Sequence, residues 1–318
     1  MQITALTDIV EGKLLNTPAI SFITQIILNV KKVHEGDAFI CFDQEDIQIA
    51  VKNGAFAIIS EFIPDIIDNE IAFIKVDSIN KAITNSLRYK LLNKNINFIK
   101  INKIFYHLLK IFKTKDMKDI ILLKNDINID FELLNNIETT KIIFSTNDTF
   151  LSAITSDFMI LKNHDFKIEN LTTHSLFETS FSHKDKFFDR LKLPTVYIND
   201  LLEQLELFDY KLDLKKLHNF NLFKPLFINK SSQIVPFGQT NRFILANEDS
   251  NISDIEINFL EKSYTYGDIK ILDAKELDDD EIFICISNLS FNALYIKNCD
   301  ISRINIILDS NNKIDKLL

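Results

Sequence analysis

KKVHEGDAFICF, residues 31–42, places an acid and one of only five glycines directly before a short apolar run. Gly36 suits a turn that needs a positive φ, and the short carboxylate of Asp37 can bond the backbone around it. Ala38–Cys41 then reads as a strand, with Phe39 and Cys41 on one face and Ala38 and Ile40 on the other. QEDIQIAVKNG (44–54) reads as a helix closed by Gly54, a residue that tolerates the left-handed position after a last turn. AFAIIS (55–60) and AFIKVD (72–77) read as further strands, and SINKAITNSLRYKLL (78–92) as a helix capped by Ser78. Strand and helix alternating at this spacing predict a parallel α/β layer.

The same style continues over residues 93–175. INFIKI, KDIILLK, KIIFST and DFMILK read as strands, and NKIFYHLLKIFKT, DFELLNNI and NDTFLSAIT as helices. Residues 176–318 differ. Helix patterns are expected at HKDKFFDRLK (183–192, capped by Ser182), TVYINDLLEQLELF (195–208) and SDIEINFLEKSY (253–264). PLFINKSSQIVPFG (225–238) reads as strand, turn and strand. Further strands are expected at RFILAN, DIKILD, EIFICIS (281–287), NALYIK and RINIIL (303–308). The expected organisation is therefore an N-terminal α/β domain over 1–92, a reduced central α/β domain over 93–175 and a mixed α/β C-terminal domain over 176–318. No Pro/Gly/Ser-rich linker, internal repeat or low-complexity tract interrupts it.

Composition excludes several functions. The 318 residues are 46% hydrophobic, enough for a sizeable core. The net charge of −9, with arginine only at 88, 190, 242 and 303, argues against nucleic acid, whose phosphates call for clustered Lys and Arg. No run approaches the ~18 apolar residues of a membrane span, and the N-terminus lacks the basic-then-apolar pattern of a signal segment. Cys41, Cys285 and Cys299 are far apart and odd in number. They read as reduced thiols of a cytoplasmic protein.

There is no glycine between Gly54 and Gly238. A phosphate cradle needs glycines so that backbone N–H groups can wrap the anion, and a dinucleotide fingerprint needs three. INFIKI runs into NKIFYHLL with no room for either. Nucleotide hydrolysis by that route is not expected, and no cofactor or metal is predicted. His174, Glu178 and His183 form a possible metal or acid–base set, with surface histidines as the alternative reading. Ser180 and Ser182 lie beside His183, but adjacency in sequence says nothing of triad geometry. IVPFGQTNRF (234–243) offers Gln239, Thr240, Asn241 and Arg242 around Gly238. Either a small anion sits there or the segment is a polar turn. LDDDE (277–281) reads as a solvated turn between strands or a carboxylate cluster, and His107 as a histidine satisfied on an apolar helix.

With these segments placed, the first 90 or so residues resemble the N-terminal, UDP-sugar-recognising domain of the Mur ligase family, which adds amino acids to a peptidoglycan precursor with ATP. The resemblance is carried by Val33, Gly36, Asp37 and Phe39, then Ala50, Gly54 and Ala55, then Val76 and Asp77, all in order. The family's Asp-Ser-Arg triplet falls on Asn29, Val30 and Lys31, with a valine where the family's serine contacts uridine. The family's Gly-rich ATP loop is replaced by IKINKIFYHLLK. The resemblance implies a cytoplasmic, Mur-ligase-like protein without ATP-dependent ligase chemistry. Its implied partner is a UDP-sugar peptide precursor or a protein of cell-wall synthesis. Ligand contacts are expected at Lys31, Gly36 and Asp37, and at Gln239, Thr240 and Arg242. The alternative is an enzyme of another class using His174, Glu178 and His183 between domains. A third possibility is a structural partner protein with an apolar patch on its C-terminal half.

Overall fold

The computed structural model describes residues 1–138, 141–162 and 164–314, without the side chains of 311–314. In chain order the first half runs α1 (Ile3–Ile9), β1 (Lys13–Leu14), β2 (Ile26–Ile27), β3 (Ala38–Cys41), α2 (Glu45–Lys52), β4 (Ala57–Ser60), β5 (Ala72–Lys75), α3 (Ile79–Leu91), β6 (Ile96–Lys100), α4 (Lys103–Phe112), β7 (Ile120–Leu122), α5 (Ile127–Asn135), β8 (Lys141–Ser145), α6 (Asp148–Ile154) and β9 (Met159–Ile160). The second half runs β10 (Glu169–Ser175), β11 (Glu178–His183), β12 (Lys186–Leu191), α7 (Ile198–Leu207), β13 (Leu226–Phe227), β14 (Phe243–Asn247), α8 (Ser250–Ser263), β15 (Ile269–Asp273), α9 (Asp279–Asn288), β16 (Ala293–Lys297) and α10 (Ile301–Ile314). These elements make two compact units, one of residues 1–101 and 115–161, the other of residues 102–114 and from Lys162 onward.

The first unit holds a sheet ordered β1-β5-β4-β3-β2, parallel except for β1. Ala38, Ile40, Ile59 and Ile74 face a core shared with α1 and α3, while Phe39, Cys41, Ile58 and Phe73 face α2. Both faces are covered, which is why these strands read as unbroken apolar runs rather than alternating ones. Ser78 caps α3 as expected, accepting from the Lys81 N–H. A second parallel sheet, β7-β8-β6-β9, contributes Phe98 and Ile143 to the same core as α3, α5 and α6.

In the second unit β10, β11 and β12 form an antiparallel sheet. The expected helix over 183–192 is thus replaced by strand β12. Phe188 pairs across the ladder with Phe181, both buried, and Lys184 turns the hairpin at φ +54°. Ser182 accordingly lies in a ladder opposite Phe187 and caps nothing.

The C-terminal sheet is ordered β13-β14-β16-β15, its last three strands parallel. Here two expected strands are helices. EIFICIS forms most of α9, which buries Ile282 and Ile286 one turn apart. RINIIL lies in α10, which buries Ile304, Ile307 and Leu308 at helical spacing. LDDDE is correspondingly the start of α9 rather than a turn between strands. Asp278 accepts from the Glu281 N–H at 2.8 Å, and Glu281 returns the bond from the Asp278 N–H at 3.0 Å, a reciprocal capping box. The three cysteines are free thiols, and burial pushes Cys41 up to about 12. Among the described residues no helix is long and apolar enough to cross a membrane.

Candidate functional site

Gly36 and Asp37 build the turn before β3. Gly36 has φ +95°, and a Cβ there would lie 2.9 Å from Thr24 Cγ2. Its N–H donates to Gly54 O at 2.9 Å and its carbonyl accepts from the Thr24 N–H at 2.7 Å. Asp37 is 1% exposed, and its two carboxylate oxygens accept from the Thr24 hydroxyl (2.6 Å) and the His34 N–H (3.0 Å). Both residues therefore hold the turn from within. Nearby, a cavity of about 430 Å³ is lined by Asn29, Val30, Phe42, Asp46, Ile129 and Glu132 among others. Asn29 accepts from the Lys31 N–H at 3.0 Å and Lys31 is exposed beside this cavity's Asn29 and Val30. Lys32 reaches across to Glu132 at 2.8 Å. Among the described residues the charged groups on the wall are Asp46 and Glu132, the latter paired with Lys32. No local pattern announces Ile129 or Glu132, which arrive from about 100 residues away.

The N-terminus of α4 follows β6 by two residues, Ile101 and Asn102. The aligned peptide dipoles and free N–H groups of such a terminus attract anions. Here the Asn102 side-chain oxygen takes the Phe105 N–H at 2.7 Å, and its amide donates to Asp200 at 2.7 Å. Burial raises the pKa of Asp200. Lys103, the first helical residue, is ion-paired to Asp249. The terminus is thus filled by its own cap and flanked by two acids. Asp200 lies 98 positions from Asn102, so no spacing rule could have paired them.

His174, Glu178 and His183 each have separate partners. The His174 ring bonds the Ser180 hydroxyl at 2.7 Å, and Ser180 donates to Asp189 at 3.1 Å. The serine stands between histidine and acid, so the acid cannot orient the imidazole as a triad requires. Glu178 pairs with Arg190 (3.1 Å) and Lys192 (3.2 Å). His183 bonds Lys167 O (3.0 Å) and Glu206 (3.2 Å), against the edge of Phe166. Glu178 and His183 are five apart on β11 and point to opposite faces. Among the described residues no group of three His, Cys, Asp or Glu could hold a metal ion.

Gln239, Thr240 and Arg242 do come together, in a cavity of about 570 Å³ that Lys230, Asn241 and Ser290 also line. Thr240 donates to Ile228 O or Arg242 O, each at 3.0 Å, and fixes the loop after Gly238. The Arg242 guanidinium lies 4.2 Å from the Phe291 ring centroid and donates to Ile286 O (2.7 Å), Leu289 O (3.1 Å) and Asn229 O (3.3 Å). It thereby caps the C-terminal end of α9, where the helix dipole favours a cation. Among the described residues its Nε is buried without a partner, and burial lowers its pKa.

No family model matches the sequence, and no curated protein matches it either. Solved structures do. MurF from Acinetobacter baumannii superposes with a TM-score of 0.54 at 10% identity, over 98% of this chain and 98% of that one. MurF ligase from Thermotoga maritima, solved in complex with ADP, gives 0.52 at 13% identity, over 92% and 98%. The chain therefore has a Mur-ligase-like α/β fold, in agreement with the expectation raised by its first 90 or so residues.

Proposed function

We propose that this chain is a cytoplasmic, Mur-ligase-like binding protein that has lost ATP-dependent ligase chemistry. It binds a peptidoglycan precursor or a protein of cell-wall synthesis, and it divides functionally at residues 92 and 175. One observation carries the loss of chemistry. The helix terminus after β6, the place in this layout where a phosphate would be held, is occupied by Asn102 and flanked by Asp200 and Asp249. A nucleotide would have to displace a satisfied cap and approach Asp200, while Lys103 is already engaged by Asp249. The cluster Gln239–Thr240–Arg242 supports binding of an anionic group of the ligand, with Arg242 offering the charge. Gly36 and Asp37 shape the turn before β3, and Lys31 stands exposed on the short helical turn that precedes it.

Calorimetric titration tests both halves. ATP and its non-hydrolysable analogues are expected to give no heat up to about 1 mM, with no phosphate released in the presence of UDP-muramyl peptide. UDP-muramyl peptide alone is expected to bind, and Arg242→Ala to weaken it at least about tenfold, the loss of a charge-assisted bond. Tight ATP binding with turnover would overturn the proposal.

A further inference from the structure

A second cavity in the unit that contains Arg242, of about 350 Å³, differs in character. Its interior is aromatic. Phe177 meets Phe223 at 5.6 Å between centroids and Phe227 at 6.2 Å, and Phe237 closes on Phe227 at 5.0 Å. Phe237 stands at the mouth, 62% exposed, an unusual position for so large an apolar ring. Among the described residues the charged and titratable side chains on the lining are Lys192, Lys224 and His218, with no carboxylate. On a chain of net charge −9 that is a marked local bias. Lys192 is partly neutralised by Glu178 at 3.2 Å. Lys224 is exposed and has no ion pair among the described residues.

The backbone beside Lys224 carries a second sign. Phe223 adopts φ +52°, a left-handed conformation that a bulky side chain rarely takes. Its amide bonds the buried carboxylate of Glu256, whose two oxygens also accept from the Tyr197 and Tyr295 hydroxyls. Strain of this kind persists where surrounding structure imposes it, and it gathers at sites that bind. Here it sets the Phe223 ring into the cavity wall and leaves Lys224 at the rim.

We propose that this cavity binds a medium-chain carboxylate, its hydrocarbon body among Phe177, Phe223, Phe227 and Phe237 and its head on Lys224. The volume lies within the range of small-molecule sites, which are apolar with a few placed polar groups. The absence of acids on the lining selects an anionic head over a neutral or cationic one. The site is separate from the Arg242 cavity.

Titration of the full chain with decanoate, decanol and decyltrimethylammonium tests this directly. Decanoate is expected to bind one to one with Kd on the order of 100 μM, the scale a dozen heavy atoms support, and the other two at least tenfold more weakly. Lys224→Glu and Phe237→Ala both change exposed side chains and are expected to keep the fold, checked by an unchanged thermal midpoint. Each is expected to weaken decanoate at least tenfold, and Lys224→Glu to remove the preference for the anionic head. Equal binding of the three head groups, no decanoate binding, affinity unchanged in Lys224→Glu, or displacement of decanoate by ATP would each overturn the assignment.

Discussion

The sheet around β3 and the sheet around β14 are both parallel cores covered by helices, and each is pinned by a buried acid. They secure that acid differently. Asp37 is held by His34 and Thr24, 3 and 13 positions away, inside a turn whose glycines fit backbone against backbone. Glu256 is held by Tyr295 and Tyr197, 39 and 59 positions away, which belong to separate elements. The first arrangement is local and conformational. The second is long-range and electrostatic. Substitutions should therefore act on the two sheets through different variables.

The largest effect is expected at Gly54. Its φ is +94°, its carbonyl receives the Gly36 N–H, and a Cβ would lie 2.8 Å from Glu35 Cα. Gly54→Val adds a branched side chain to a left-handed position against backbone that cannot yield, a cost of about 3 kcal/mol or more. Hydrogen exchange should show the β3 amides losing protection while those of β14 keep theirs. Unchanged β3 protection would break the claim that conformation secures this sheet.

Glu256 supplies the electrostatic counterpart. Burial raises its pKa to about 7, and the same burial keeps Tyr197 and Tyr295 protonated as donors. The ordinary, unfolded value is 4.5. Below that both states are neutral and nothing is lost. As pH rises from 4.5 through 7 the unfolded chain ionises first, so the folded state is progressively disfavoured, by up to about 3 kcal/mol above pH 7. Glu256→Gln should flatten that part of the profile, measured as the thermal midpoint from pH 4.5 to 8. An identical slope in the variant would show that other groups govern it. Asp37→Asn provides the contrast and should lower the midpoint by weakening the bonds from the Thr24 hydroxyl and the His34 N–H.

The same contrast explains what could be read in advance. Around β3 the turn glycines, the Ser78 cap and the apolar runs are contiguous in the chain, so the strands, their two faces and the closing of α2 were all legible. In the C-terminal sheet, α9 and α10 carry Ile-rich runs whose local look is that of strands. Their helical spacing, Ile282 to Ile286 and Ile304 to Ile307 and Leu308, is visible only over a longer window. At β12 the helical look of the segment gives way to a strand, because Lys184 turns a hairpin without the glycine or asparagine that normally marks one. The gathering of Gln239, Thr240 and Arg242 was legible because they are neighbours in the chain. Their docking on the end of α9, and the pairing of Asn102 with Asp200, depend on tertiary contacts that no spacing encodes.

The smallest effect is expected at the N-terminus of α9, where LDDDE caps a helix rather than turning between strands. Asp278 and Glu281 cap α9 reciprocally, with Asp279 and Asp280 adding negative charge to the first turn. This charge run is what sets EIFICIS as helix despite its β-branched content, since the cap satisfies amides that a strand would have paired elsewhere. Asp278→Ala should cost about 1 kcal/mol, seen as faster amide exchange in the first turn of α9. Its consequence for function is specific. Arg242 holds the other end of that helix through Ile286 O and Leu289 O. A frayed first turn should leave those bonds and the Arg242 cavity intact, whereas Leu289→Pro, at the last turn, should disturb both. If Asp278→Ala weakens ligand binding at Arg242 as much as Leu289→Pro does, α9 responds as one cooperative unit, and the C-terminal sheet is governed by local capping as the N-terminal one is governed by its glycines.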